Sequence, residues 1–274
     1  MTQMQSKGTA VVTGASSGIG AVYADRLARR GYDMLLVARN EQRLQALATR
    51  LRADTGRTVR VEKADLTDKS ELTRVEALLK DDASISLLVN NAGFGSVRLM
   101  LASEVDTMES MIDLNVTALM RLTYAAVPAM VKRGSGTVIN ISSVVAIGPE
   151  ILNGVYGASK AFVLALTQSM QHELADKGIR VQAVLPGATQ TEGWDIAGVP
   201  KGQRLPSWVM AAEDMVDAAL VGLDAGEVVT IPSLQDGDDW TRYEAGRNEL
   251  RQRFAHSRPG ARFSPDVIAS PPLL

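Results

Sequence analysis

Strand-like and helix-like segments alternate along almost the whole chain, and this alternation constrains the fold more than any single motif. Short runs rich in apolar and β-branched residues fall at 9–13, 34–38, 58–63, 86–89, 137–141, 180–185 and 227–231. Between them lie segments with helical apolar spacing at 18–30, 41–53, 106–133 and 155–177, with Gly31, Gly134 and Gly178 as stops. Thr67 offers an N-cap for a further charged helix in which Glu71 stands in the first turn. Most of the strand-like runs are continuously apolar rather than alternating, the pattern of parallel strands covered by helices on both faces. Repeated β-α-β units with right-handed crossovers predict an α/β fold: one doubly wound domain with a seven-stranded parallel sheet. The domain is expected over residues 1–234. Residues 235–274 form a tail, with a charged helix at 239–254 and a proline-containing end. The tail reads as a surface helix with a flexible terminus, or as a subunit contact or flap.

With 274 residues, the chain is long enough for a large core. A net charge of −2 gives no electrostatic case for nucleic acid or an anionic membrane. The absence of cysteine removes disulfides, thiolate catalysis and thiolate-bound metal, and fits a cytoplasmic protein. Two histidines, His172 and His256, cannot build a three-histidine metal site and read as surface residues, so no metal is expected. No apolar run is long enough for a membrane span, and the first residues lack a signal-peptide pattern.

Two local motifs carry chemistry. The first, Thr13-Gly14-Ala15-Ser16-Ser17-Gly18-Ile19-Gly20, joins the first strand to the first helix. Its glycines permit a tight turn and let backbone approach a pyrophosphate, while the helix N-terminus supplies amide donors and a positive dipole end. At the end of the second strand, where a carboxylate would favour NAD, stand Ala38 and then Arg39. Arginine there suits a 2′-phosphate, so NADP(H) is expected over NAD(H); Arg39 could also be a solvent-facing charge at a helix start. The second motif is Tyr156-Gly-Ala-Ser-Lys160, which places a phenol and an ammonium one turn apart on one helix face. A neighbouring cation favours the phenolate, so the pair reads as a proton-transfer device in which Lys160 lowers the pKa of Tyr156.

On these residues the chain resembles the short-chain dehydrogenase/reductase family, over residues 9–231. Thr13 to Gly20 is similar to its cofactor loop, and Asp65-Leu66 to its adenine-contacting pair. Asn90-Asn91-Ala92-Gly93 resembles its signature after strand four. Ser143 stands thirteen residues before Tyr156, the family's serine spacing, with Ser142 a strand-end neighbour. Asn115 sits where the family carries a catalytic asparagine. Pro186-Gly187, with Thr189 and Thr191, resembles the loop on the nicotinamide side.

The resemblance implies a Rossmann-type fold with a catalytic set of Asn115, Ser143, Tyr156 and Lys160. It implies a cofactor set of Gly14, Ser16, Ser17, Gly18, Ile19, Gly20, Arg39, Asp65, Leu66, Asn91, Ala92, Gly93, Tyr156, Lys160, Pro186, Gly187, Thr189 and Thr191. Ser143 would bind the substrate oxygen and Tyr156 would transfer the proton. Lys160 would hold the ribose, and Asn115 would order a water linking Lys160 to solvent. A small-molecule ketone, aldehyde or alcohol is the expected substrate, and a homodimer or homotetramer the expected assembly. The Gly-, Pro- and Trp-containing segment 188–211 reads as a lid. Phe94, Ile147, Leu152, Trp194 and Trp208 are candidate apolar lining, or simply packing between lid and body. Lys201 and Arg204 are the lid's cations. The alternatives are an NAD-dependent alcohol dehydrogenase or a dinucleotide-sensing regulator without turnover.

Overall fold

In the structure, a computed structural model that describes residues 6–191 and 206–263, β1 (Thr9–Thr13) feeds α1 (Gly18–Arg29). Three more such units follow: β2 (Asp33–Ala38) with α2 (Glu41–Thr55), β3 (Val59–Lys63) with α3 (Lys69–Asp81), and β4 (Ile85–Asn90) with α4 (Val105–Ile112). Then come α5 (Leu119–Arg133), β5 (Gly136–Ile141), α6 (Gly154–Leu174) and β6 (Ile179–Val184). After these stand β7 (Thr189–Gln190), β8 (Met210–Ala211), α7 (Ala212–Ala225) and β9 (Val229–Thr230). The main sheet has seven strands in the order β3-β2-β1-β4-β5-β6-β9, all parallel, as the continuous apolar runs predict.

Alternate side chains of each strand face opposite layers. Ala10 and Val12 of β1 join a core with Leu27 of α1, Leu44 of α2 and Met215 of α7. Val11 joins the other, with Val75 of α3, Leu122 of α5 and Met170 of α6. Strand order reverses direction between β1 and β4, so the crevice at their carboxyl ends is the place where such sheets bind ligands.

Three local differences from the sequence reading have physical causes. The long helix over 106–133 is interrupted by a wider π-helical turn, Asp113–Ala118, between α4 and α5. Asp68, not Thr67, caps α3: its carboxylate accepts from the amides of Ser70 and Glu71, while the Thr67 hydroxyl donates to Asp65 at 2.7 Å. A second small sheet pairs Thr189 with Met210 and Gln190 with Ala211, tying together the two ends of the expected lid. Most of that lid, including Trp194, Lys201 and Arg204, lies outside the described residues, as does the proline-containing end from 264.

The stretch Val105–Arg133 is long and apolar enough to cross a membrane, but it lines the core through Met111, Leu122 and Met130. Residues from Leu234 onward form a separate unit. Its helix α8 (Gly237–Gln252) has no buried residue and is laced by the pairs Arg242–Asp239, Arg247–Glu244 and Arg253–Glu249.

Candidate active site

Thr13 ends β1 and organises the carboxyl edge. Its hydroxyl donates to the Val89 carbonyl at 3.3 Å and accepts from the amides of Asn91 and Ala92 at 3.0 Å each. The Asn91 carboxamide in turn donates to the carbonyls of Thr13 (2.9 Å) and Gly14 (3.3 Å). Asn91 therefore latches the glycine loop to the exit of β4. At Gly14 (φ +68) a Cβ would lie 2.8 Å from Asn91 Nδ2, and at Gly20 it would run into the Gly14 carbonyl. At Gly18 (φ +52) a Cβ would lie 3.2 Å from the Thr191 side chain, which puts Thr191 over the loop.

Ser17, the N-cap of α1, makes no side-chain cap bond, and the first turn carries no acid. The N-cap side chain thus leaves these amides uncapped, and no carboxylate of the helix's first turn opposes an anion. A loop with glycine at 14, 18 and 20, leading into a helix N-terminus that no side chain caps, fits a dinucleotide pyrophosphate. Ser16 and Ile19 flank it half-buried.

Arg39 follows Ala38 at the end of β2 and is 71% exposed at its side chain, with Asp65 Oδ2 3.9 Å from Nη1. Asp65 is held by Thr67 and by its own amide's bond to Glu71. Leu66 is buried in the core, so only its backbone faces the edge.

At the other end of the crevice, Ser143 leaves β5, its hydroxyl donating to the Pro186 carbonyl at 3.4 Å and standing close enough to the Tyr156 phenol to influence its pKa. The Val144 amide also donates to Pro186 O, so the exits of β5 and β6 are fastened together beside Gly187. Ser142 is buried and donates to the Lys160 carbonyl at 2.7 Å, a structural partner of α6. Lys160 is buried with Nζ donating to Ile141 O at 2.9 Å and lying 5.8 Å from the centre of the Tyr156 ring. Gly93 faces this ammonium: a Cβ there would come within 3.5 Å of Nζ.

Here the electrostatics depart from the spacing argument. Burial pushes the Tyr156 phenol above its ordinary value, and the Ser143 hydroxyl only partly offsets it. Burial also pushes Lys160 down, to about 8. Desolvation, not the neighbouring cation, sets the phenol in this structure.

Asn115 lies in the π-helical turn, 1% exposed, with its carboxamide committed on three sides. Oδ1 accepts from Phe94 N at 3.1 Å, and Nδ2 donates to Phe94 O at 2.9 Å and to Ser159 Oγ at 3.1 Å. Ser159 Oγ donates to Tyr156 O. Asn115 thus ties the strand-four loop to the tyrosine helix. A π turn at a functional position is a recurrent feature.

Thr189 is buried and bonds Gly187 O. Ile147 and Leu152 are partly exposed beside the site-bearing turns, whereas Trp208 is largely in solvent. His172 and His256 are both exposed. Sequence reasoning missed Thr13 as a hydroxyl latch and missed Asn153 and Ser159 altogether. The asparagine just before an apolar helix was the available signal for Asn153.

Fold and site together define an NAD(P)-dependent oxidoreductase acting on alcohol and carbonyl groups. The chain belongs to the short-chain dehydrogenase family, whose pattern matches residues 8–197. It is similar to a solved short-chain dehydrogenase from Sphingobium yanoikuyae in complex with NADPH: 46% identical, TM-score 0.90, covering 93% of this chain and 100% of that one. The bulky-bulky ketone specific alcohol dehydrogenase from Comamonas testosteroni is 41% identical with TM-score 0.88, over 95% of this chain and 100% of that one. An uncharacterised oxidoreductase from Staphylococcus epidermidis is 36% identical over 218 residues, 78% of this chain and 90% of that protein.

Proposed function

We propose that this enzyme reduces a bulky, apolar ketone or aldehyde with NADPH, Tyr156 giving the proton. The observation that carries the reading is the Tyr156 phenol: it stands beside Ser143 with the buried Lys160 ammonium 5.8 Å from its ring centre, and burial raises its pKa further above neutrality. The bound nicotinamide supplies the hydride. Ser143 orients the carbonyl oxygen of the substrate, and Tyr156 protonates that oxygen as negative charge develops on it. Lys160 holds ribose hydroxyls and offsets the charge left on the phenolate. Asn115 and Ser159 keep α6 in register with the loop after β4.

Arg39, exposed at the β2 end with no carboxylate at position 38, supports NADPH over NADH. The NADPH complex of the Sphingobium relative supports the same choice. The ketone specificity in the name of the Comamonas relative supports a bulky substrate, as do the apolar residues at 147, 151 and 152. Exposed Ile112, Met120 and Tyr124 support subunit contacts along α4 and α5, hence a homodimer or homotetramer. The cysteine-free composition supports a cytoplasmic location.

The test follows NADPH absorbance against a panel of ketones and aldehydes, wild type beside Tyr156→Phe. The variant is expected to lose about 10²–10⁴-fold in kcat while its NADPH Kd stays within a few-fold. Normal turnover by the variant overturns the assignment.

A further inference from the structure

Asn153 is 2% exposed, and every polar group of its side chain is used. Oδ1 accepts from the amides of Val155 (2.9 Å) and Tyr156 (3.4 Å), capping the helix that carries the phenol. Nδ2 reaches the other way, donating to the Arg98 carbonyl (2.7 Å) and the Ser103 hydroxyl (3.1 Å). The Asn153 amide bonds Ser96 O at 3.4 Å, and Ser103 Oγ closes the loop on the carbonyls of Arg98 (3.3 Å) and Leu99 (3.0 Å). One carboxamide therefore fixes residues 96–103 to the first turn of α6. The same loop touches the phenol: a Cβ on Gly95 would lie 3.2 Å from Cζ of Tyr156.

What this loop presents is unusual for a surface connection. Val97, Leu99, Met100 and Leu101 are 41%, 73%, 85% and 102% exposed. Apolar side chains in a mobile loop would collapse or vary in position; here the backbone beneath them is tied at Phe94, Ser96, Arg98 and Ser103. An apolar rim whose backbone is tied down, and whose loop meets the Tyr156 ring at Gly95, matches one occupant by chemistry: the non-reacting arm of an apolar carbonyl compound.

We propose that Asn153 is a positioning residue that holds the rim of residues 97–101 at a fixed distance from Tyr156, so that the rim takes the apolar arm of the substrate. This rests on the ketone-reductase reading above.

The experiment compares wild type, Asn153→Asp and the surface double variant Leu99→Ser with Leu101→Ser. Aspartate keeps the one oxygen that accepts from both helix-capping amides and removes the donors to the loop, setting a carboxylate oxygen against the Arg98 carbonyl, so folding of α6 is preserved while the joint is weakened. The readout is the ratio of kcat/KM for a branched aryl ketone to that for a short methyl ketone. Both variants should lower this ratio about tenfold, the effect of losing one leucine-sized contact, mainly through KM of the branched ketone. A second readout uses the NADPH-free protein: trypsin should cut after the exposed Arg98 about tenfold faster in Asn153→Asp.

A ratio unchanged in Asn153→Asp, with both ketones slowed equally, overturns the positioning role and leaves a merely structural cap. An unchanged ratio in the Leu99/Leu101 variant, with a change only in oligomeric state, gives the rim to a second copy of the chain and overturns its substrate role. Failure of wild type to oxidise NADPH with any ketone is a different result, since it overturns the reductase reading itself.

Discussion

At the scale of single residues, Lys160 is a costly placement. It is 6% exposed and makes one described hydrogen bond from Nζ, to Ile141 O. Burial holds its folded pKa at about 8, below the 10.5 of a free lysine. Between those two values the unfolded chain binds more protons than the folded one, so stability rises with pH across that window and the full penalty is present below it. The shift corresponds to about 3 kcal/mol. Removing the charge with Lys160→Met removes the pH dependence but orphans the Ile141 carbonyl, a separate and pH-independent loss. The expected outcome is a difference in unfolding free energy, wild type minus variant, that grows by roughly 3 kcal/mol from pH 7 to pH 11. Urea melts of the two proteins at a series of pH values measure it, and a difference that stays flat would show that the ammonium is not desolvated. The residue is kept at this cost because a charge beside a phenolate is worth most where water is excluded.

At the scale of elements, α1 shows how a phosphate loop is held still. Asp25 on its buried face accepts from Arg29, from Arg50 of α2 and from Arg26. Arg26 and Arg30 then pair with Asp217 and Asp224 of α7, so one helix is cross-tied to both neighbours in its layer. Burial alone would raise the Asp25 pKa, but the hydrogen bonds from Arg29, Arg50 and Arg26 outweigh it and hold the carboxyl below the ordinary range. Its contribution to stability is therefore present above about pH 4 and lost as pH falls through the depressed folded value. Asp25→Asn should destabilise by about 1–2 kcal/mol at pH 7, less than a wholly buried pair because the arginines reach solvent. Thermal melts should show a fall of a few degrees at pH 7 that narrows toward pH 3; an equal fall at both would remove the ionic account. The elements themselves were legible wherever one force dominated. Continuous apolar runs such as residues 34–38 and glycine stops such as Gly134 (φ +68) declare themselves in sequence. The π turn at Asp113–Ala118 and the pairing of β7 with β8 were not legible, because each is fixed by residues distant in the chain: Phe94 and Ser159 for the first, Met210 for the second. The grouping of Tyr156, Lys160 and Ser143 at one place in the fold was legible from their motifs. Asn153 and the Thr13 hydroxyl were not, since their meaning lies in tertiary partners such as Arg98 and Val89. The tyrosine pKa went the other way because sequence spacing shows the cation but not the desolvation.

At the scale of the molecule, the strand order separates the two ends of the cofactor crevice. Arg39 leaves β2 and Ser143 leaves β5, three strand steps apart in the order β2-β1-β4-β5. At roughly 4.8 Å per step the two exits are about 14 Å apart, beyond the range at which substitutions usually couple. Ser143 and Tyr156, by contrast, are close enough for the serine to influence the phenol's pKa. Two double-mutant cycles on kcat/KM with NADPH follow from this layout. Arg39→Asp should weaken NADPH much more than NADH, because an attraction to the 2′-phosphate becomes a repulsion. Combined with Ser143→Ala, its effect should multiply to within about 0.5 kcal/mol of additivity. Ser143→Ala combined with Tyr156→Phe should fall well short of additivity, since either change alone already breaks the shared proton-transfer unit. Strong coupling in the first cycle would mean that the adenosine end and the reacting end communicate through the sheet, and equal losses of NADPH and NADH in Arg39→Asp would remove the arginine from the 2′-phosphate.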